Sequence, residues 1–241
     1  MNSSDEQAKV ALVTGSARRI GAEICRFLHQ QGFNIIMHCH QSVTEAKQLV
    51  DLFNDERPQA DLANIAEIEP LIAEAVAVWG RLDCLINNAS IFKQSHIDKM
   101  EADIWQQLLT INSQAPYVLS QQAARYLRQV QGSIINITDI HAQFPLTDYT
   151  IYCMSKACLL MMTKCLAKEL GPEIRVNAVA PGAIIWPEHE NELSEQLKQT
   201  IIASTALKCK GRPINIAKAV YSLIDNDYIS GQVVPVDGGR Y

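Results

Sequence analysis

Residues 9–40 read KVALVTGSARRIGAEICRFLHQQGFNIIMHCH, and the order of the pieces in this stretch decides the fold class. Residues 9–14 form a short apolar run rich in β-formers. The run ends abruptly in Gly15-Ser16-Ala17-Arg18-Arg19-Ile20-Gly21, after which AEICRFLHQQG has the spacing of an amphipathic helix closed by Gly32. FNIIMHCH is a second apolar run. Strand, helix and strand in this order make a βαβ unit. Strands that are apolar at nearly every position belong to a parallel sheet covered on both faces.

The alternation continues along the chain. A short helix is expected over residues 44–53 and a brief strand near 58–60, ending at Asp61. Helices are then expected over 65–79, 101–129, 151–170 and 214–225. Between them lie the strands LDCLIN, SIINIT, IRVNAVA and QVVPV, the first running into Asn87-Asn88-Ala89 and the third ending at Pro181-Gly182. About six or seven parallel strands in one layer fit a Rossmann-type doubly wound α/β sheet with helices on both faces. Residues 186–205, polar and Glu-rich, interrupt the pattern.

No Pro/Gly/Ser-rich linker divides the 241 residues, so one domain spanning 1–241 is expected. Hydrophobic residues at 48% and charged residues at 20% exclude an intrinsically disordered chain. A net charge of -5 supplies no basic stripe for a nucleic-acid backbone. The seven cysteines contain no CxxC and no Cys/His spacing of the kind that builds a zinc site, so no metal is expected. The polar start MNSSDEQAK is unlike a signal peptide, and no apolar run reaches the ~18 residues of a membrane span. A reduced, cytoplasmic protein is expected.

Ligands of a doubly wound sheet bind beyond the carboxyl ends of its strands. At the first such end, Gly15 permits a tight turn, and the N–H groups opening the next helix suit a pyrophosphate. The loop is G-x-x-x-R-x-G, with Arg19 where a three-glycine loop has its middle Gly. The adjacent arginines favour an anionic or carbonyl-bearing ligand, or else mark a solvated helix start. After the second strand, an NAD site would place an acid against the ribose 2′-hydroxyl. Here His40, Gln41 and Ser42 stand instead, with no acid before Glu45, which favours the 2′-phosphate of NADPH. Asn112 falls inside a long helical stretch, where Asn is a weak helix former; its side chain, or a local distortion of the helix, could place a water beside a nearby lysine.

Chemistry is expected in residues 138–156, TDIHAQFPLTDYTIYCMSK. Tyr152 and Lys156 are four residues apart and so share one face of a helix. An ammonium beside a phenol favours phenolate, which would bring the tyrosine pKa down towards working pH and make it a general acid or base.

Taken together, the chain resembles the short-chain dehydrogenase/reductase family over essentially its whole length. TGxxxxxG, Asp61, NNA, the mid-helix Asn, YxxxK, PG and the closing VDGG occur in family order. The resemblance implies that Tyr152 donates the proton, Lys156 lowers its pKa and holds the nicotinamide ribose, and Asn112 completes a relay. It also implies cofactor contacts from Gly15, Arg19 and Ile20, with Asp61 and Leu62 near the adenine. Asn88 and Ala89 would approach the ribose, and Pro181 and Gly182 the nicotinamide.

Two departures narrow the resemblance. Most members carry a serine where this chain has Asp139, and Arg19 stands in the glycine loop. A carboxylate cannot donate a hydrogen bond to a ketone but can accept one from an amino-heterocycle. With HCHQS, NNASIF and DYTIYCMSK, these departures are similar to the pteridine reductases and dihydromonapterin reductases. That likeness implies a pterin capped by Phe92, with Ser90 and Arg19 contacting the ring and the cofactor phosphate, and Asp139 with Tyr152 managing the proton. The expected activity is NADPH-dependent reduction of a dihydropterin such as dihydrobiopterin, dihydromonapterin or dihydrofolate to its tetrahydro form, by a homotetramer. The alternatives are a carbonyl reductase of a 3-oxoacyl or similar ketone, and a non-catalytic NADP-binding regulator.

Overall fold

A computed structural model describes residues 7–40, 42, 44–46, 61–99, 102–188 and 191–241. Six strands form one parallel sheet among them: β1 (Val10–Val13), β2 (Asn34–Met37), β3 (Cys84–Asn87), β4 (Ser133–Ile137), β5 (Arg175–Pro181) and β6 (Val233–Val236). Their order is β2-β1-β3-β4-β5-β6, so the chain reverses its direction of winding between β1 and β3. The helices are α1 (Arg19–Gln30), α2 (Ile68–Trp79), α3 (Ala102–Leu109), α4 (Ala115–Leu127), α5 (Thr150–Glu169), α6 (Glu195–Ser204) and α7 (Pro213–Asp225). This is the single Rossmann-like domain read from the apolar runs. Most of the helix expected at 44–53, and all of the strand expected at 58–60, lie outside the described residues.

Alternation within each strand builds two cores. Val10 and Leu12 of β1, with Ile134 of β4 and Val176 of β5, face α2, α4 and α5. Ala11 and Val13, with Ile135 and Val179, face α1 and α7. Both faces are covered, which is why the strands read as continuous apolar runs.

Buried polar groups join the sheet to the helix that carries YxxxK. Asn87 Nδ2 donates to Asn136 Oδ1 at 2.9 Å, and Asn136 Nδ2 donates to Thr163 Oγ1 on α5 at 2.9 Å. Ser113 Oγ donates to the Ser155 carbonyl at 2.9 Å. These bonds have no competing water, because Asn136, Ser155 and Thr163 are fully buried. They fix the height of α5 against the sheet.

The helical stretch read over residues 101–129 is not uniform. Between α3 and α4, Thr110–Gln114 winds as a π-helical turn centred on Asn112, a distortion of the kind expected from its sequence.

Gly21 packs where no side chain fits. A Cβ there would lie 2.5 Å from the Gly15 carbonyl and 2.6 Å from Asn88 Nδ2. Gly21→Ala should therefore cost about 1–3 kcal/mol of stability, read as a fall in Tm, and should weaken dinucleotide binding at least tenfold. A variant with unchanged Tm and affinity would show that the loop yields freely.

Candidate active site

The loops after β1 and β3 are stapled together at the point where the sheet's winding reverses. Thr14 Oγ1 accepts from the backbone N–H groups of Asn88 and Ala89, both at 3.0 Å. Asn88 Nδ2 in turn donates to the carbonyls of Thr14 at 2.8 Å and Gly15 at 3.0 Å. Gly15 has φ +61, and a Cβ there would sit 2.8 Å from Ala89 Cα, so both its conformation and its neighbour require glycine.

Above this staple opens a cleft of about 460 Å³. Its walls include Gly15, Ile20 and Gly21 from the first loop, His40 and Ser42 after β2, Asp61 and Leu62, and Asn88, Ala89 and Ser90 after β3. Arg18 and Arg19 line the same space. No side chain among the described residues caps α1, so its first N–H groups are left for an anion. A buried His38 orients the loop from below, its Nδ1 accepting the Gly15 N–H at 3.3 Å. Glycine cradle, uncapped helix start and cationic wall suit a dinucleotide diphosphate.

A second group of residues lies on α5 and the loop before it. The Tyr152 hydroxyl donates to Asp139 Oδ2 at 2.8 Å, and Asp139 Oδ1 accepts the His141 backbone N–H at 2.8 Å. Lys156, one turn on, is buried and donates through Nζ to the Ile137 carbonyl at 3.0 Å. Its nitrogen lies 5.9 Å from the Tyr152 ring centroid. Burial holds the Tyr152 phenol well above its ordinary pKa, and the neighbouring Asp139 charge and hydrogen bond push it the same way. Burial pulls Lys156 down to about 8, against the opposing pull of the Asp139 carboxylate.

A family model described as enoyl-(acyl carrier protein) reductase matches residues 15–240. The chain is 34% identical to the 3-oxoacyl-acyl-carrier-protein reductase FabG of Staphylococcus epidermidis, over 97% of this chain and 99% of that one. A Serratia marcescens short-chain dehydrogenase/reductase variant superposes with TM-score 0.90 at 30% identity, covering 97% and 98% of the two chains. A blue fluorescent protein from a metagenomic library, solved in complex with NADPH, also gives TM-score 0.90, at 32% identity over 98% and 99%. This chain is a short-chain dehydrogenase/reductase. It is thereby an oxidoreductase built on the family's dinucleotide-binding fold.

The geometry adds partners to several residues singled out in this short-chain dehydrogenase/reductase. The sequence predicts that Lys156 brings the Tyr152 pKa down; in the structure burial, and after it the Asp139 charge and hydrogen bond, push the phenol up. The Asn112 side chain is bonded within the protein: Nδ2 donates to the Ile91 carbonyl and Ser155 Oγ, while Oδ1 accepts from the Ile91 N–H and Ser90 Oγ, so of the two expected routes to a relay the helix distortion is the one left open. Ser90 is thus tied to Asn112. Phe92 stacks on Tyr149, with centroids 4.3 Å and planes 12° apart, and meets Tyr152 edge-on at 4.7 Å. One face of the expected cap is therefore taken by protein.

Arg19 spans the cleft mouth. Its Nη1 pairs with Glu188 Oε1 at 2.9 Å, and Nη2 donates to the Trp186 carbonyl at 3.0 Å. Its φ of +57 explains the glycine usual at this position. The Gly182 N–H donates to the Val236 carbonyl at the end of β5, which fixes Pro181-Gly182 against β6. Gln41 lies outside the described residues. The sequence reading passed over His38 as an orienting group, and also Tyr149, whose hydroxyl donates to Asn191 Oδ1 at 2.9 Å. No motif marks either; their roles depend on chain segments distant in sequence.

The Lys156 shift has a stability signature. Below pH about 8 both folded and unfolded chains carry the charge, and its burial cost is fully present. Between about 8 and 10.5 the folded chain sheds the proton first, which relieves that cost. Denaturation of wild type beside Lys156→Met should show wild type gaining relative stability across that window. A pH-independent difference would mean that the ammonium is not buried.

Proposed function

We propose that this protein is an NADPH-dependent reductase of a dihydropterin. The observation that carries the reading is the Asp139–Tyr152 pair, in which a carboxylate takes the place of the family's usual hydroxyl donor. Asp139 is fixed by the His141 N–H and can only accept while ionised, so it fits the N–H edge of an amino-heterocycle and repels a ketone oxygen. In the same reading, Arg18, His40 and Ser42 line the place for a 2′-phosphate, and support comes from the NADPH complex of the similar blue fluorescent protein.

The reduced nicotinamide would supply hydride to a C=N bond. The chain's own part is orientation and proton supply. Tyr152 keeps its proton on the hydroxyl throughout the neutral range, as a donor in the reductive direction must. Asp139 aims that hydroxyl and accepts from the substrate ring. Lys156 would hold the nicotinamide ribose, the π-turn at Asn112 would complete the relay, and residues 186–188 and 191–205 would cover the substrate. Tyr117, Met154 and Met161, exposed on α4 and α5, supply apolar surface for a homotetramer, which we place in the cytoplasm.

A second reading is reduction of a 3-oxoacyl thioester or similar ketone. It is favoured by the relatives: those at about a third identity are named ketoacyl reductases, and none of the names above is a pterin enzyme. The relatives support the ketone, and the local chemistry at Asp139 supports the pterin.

NADPH oxidation by purified protein separates the two. Dihydrobiopterin, dihydromonapterin and dihydrofolate should be turned over and 3-oxoacyl thioesters should not. Asp139→Ser should lose ~10²-fold or more of the pterin rate, and Tyr152→Phe ~10²- to 10⁴-fold with NADPH affinity kept. Thioester turnover that survives Asp139→Ser would establish the ketone reading and discard the first.

A further inference from the structure

The loop that carries Asp139 is held from outside the site by Tyr241, the last residue of the sequence. Tyr241 stacks on Phe144 with ring centroids 4.0 Å and planes 9° apart, and meets His141 edge-on at 6.2 Å. The loop between them is one turn of 3-10 helix, Ile140–Ala142, capped by the Asp139 side chain. His141 Nδ1 donates to the Phe144 carbonyl at 3.1 Å, since a carbonyl only accepts. The His141 backbone N–H reaches Asp139 Oδ1, and the other carboxylate oxygen takes the Tyr152 hydroxyl. Contacts therefore run unbroken from Tyr241 through Phe144, His141 and Asp139 to the reacting phenol.

The outer end of this chain is anchored to the sheet. The Tyr241 N–H donates to Asp237 Oδ2 at 3.3 Å, and Asp237, next after β6, also accepts the Gly239 N–H at 2.9 Å. Arg240 lies over the Tyr241 ring at 5.3 Å. Phe144 is 37% exposed and leans on Tyr241 for cover. Among the described residues, the carboxylate's hydrogen bonds are those to its own turn and to the phenol.

We propose that Tyr241 is a positioning residue: stacked on Phe144, it fixes the turn at residues 139–144 and with it the direction in which the Asp139 carboxylate faces Tyr152 and the substrate. The proposal rests on the reading of Asp139 given above. Its basis is orientation, since a reacting group left free to rotate loses rate without losing affinity for a cofactor bound elsewhere in the cleft.

Amide hydrogen exchange of the segment spanning residues 139–144 tests the structural half without any substrate. Tyr241→Ala should exchange faster there, Tyr241→Phe should match wild type because the ring is kept, and NADPH affinity should stay within about twofold in both. The kinetic half uses whichever substrate wild type turns over. Tyr241→Ala should lose about three- to tenfold in kcat at unchanged KM for NADPH, the size an aromatic contact can transmit, with Tyr241→Phe restoring it. That loss should vanish in an Asp139→Ser background. Unchanged exchange in Tyr241→Ala, or an equal kcat loss in both backgrounds, overturns the proposal. An Asp139→Ser enzyme as active as wild type instead removes the underlying reading of Asp139, while the exchange result still decides whether Tyr241 holds the turn.

Discussion

The close approach of two strand ends at the winding reversal is the constraint on which the site depends. β1 and β3 are neighbours in the sheet, but the chain leaves them in opposite directions, so their loops must part and a crevice must open between them. Thr14 and Asn88 close the bottom of that crevice with four hydrogen bonds. Gly15 and Gly21 allow the contact because a Cβ at either would press on backbone atoms. Everything above the staple, from the uncapped start of α1 to the walls at His40 and Asp61, takes its place from it.

The chemical centre is governed by burial more than by pairing. Two ionisable groups one helical turn apart are both enclosed, and enclosure disfavours charge on each: the phenol is held protonated and the ammonium is pulled towards neutrality. Lys156 sits 5.9 Å from the ring centroid and is bonded to the Ile137 carbonyl. Asp139 then acts in one direction on both neighbours, raising the Tyr152 and Lys156 affinities for protons. The Tyr152 phenol so placed stays protonated and is a weaker acid than a free tyrosine.

Arg19 shows how a local departure is tied to a distant segment. A non-glycine residue in the left-handed region costs roughly 1–2 kcal/mol, and here it carries a guanidinium that reaches Glu188 and the Trp186 carbonyl. The strained loop thereby holds the entry of the segment after β5 over the cleft. With a mostly exposed carboxylate partner, the pair contributes position more than stability.

The order of strands and helices, the covered parallel sheet, the glycine cradle and the Tyr152–Lys156 spacing were legible in the chain, because each depends on local spacing: period two or 3.6, or glycine where the backbone must turn or touch. Even the disturbance at Asn112 had a local sign. What the residues could not reveal was direction and company. Phe92 also stacks on Tyr149, the Asn112 side chain also holds Ser90 and Ile91, and Arg19 also pairs with Glu188, contacts that no local pattern marks. Sequence by itself determined the fold and set Tyr152 and Lys156 on one helix face. Tertiary structure alone decided the direction of their pKa shifts and their partners, because desolvation and side-chain contacts depend on segments that meet only when the sheet is closed, as residue 241 meets residue 144.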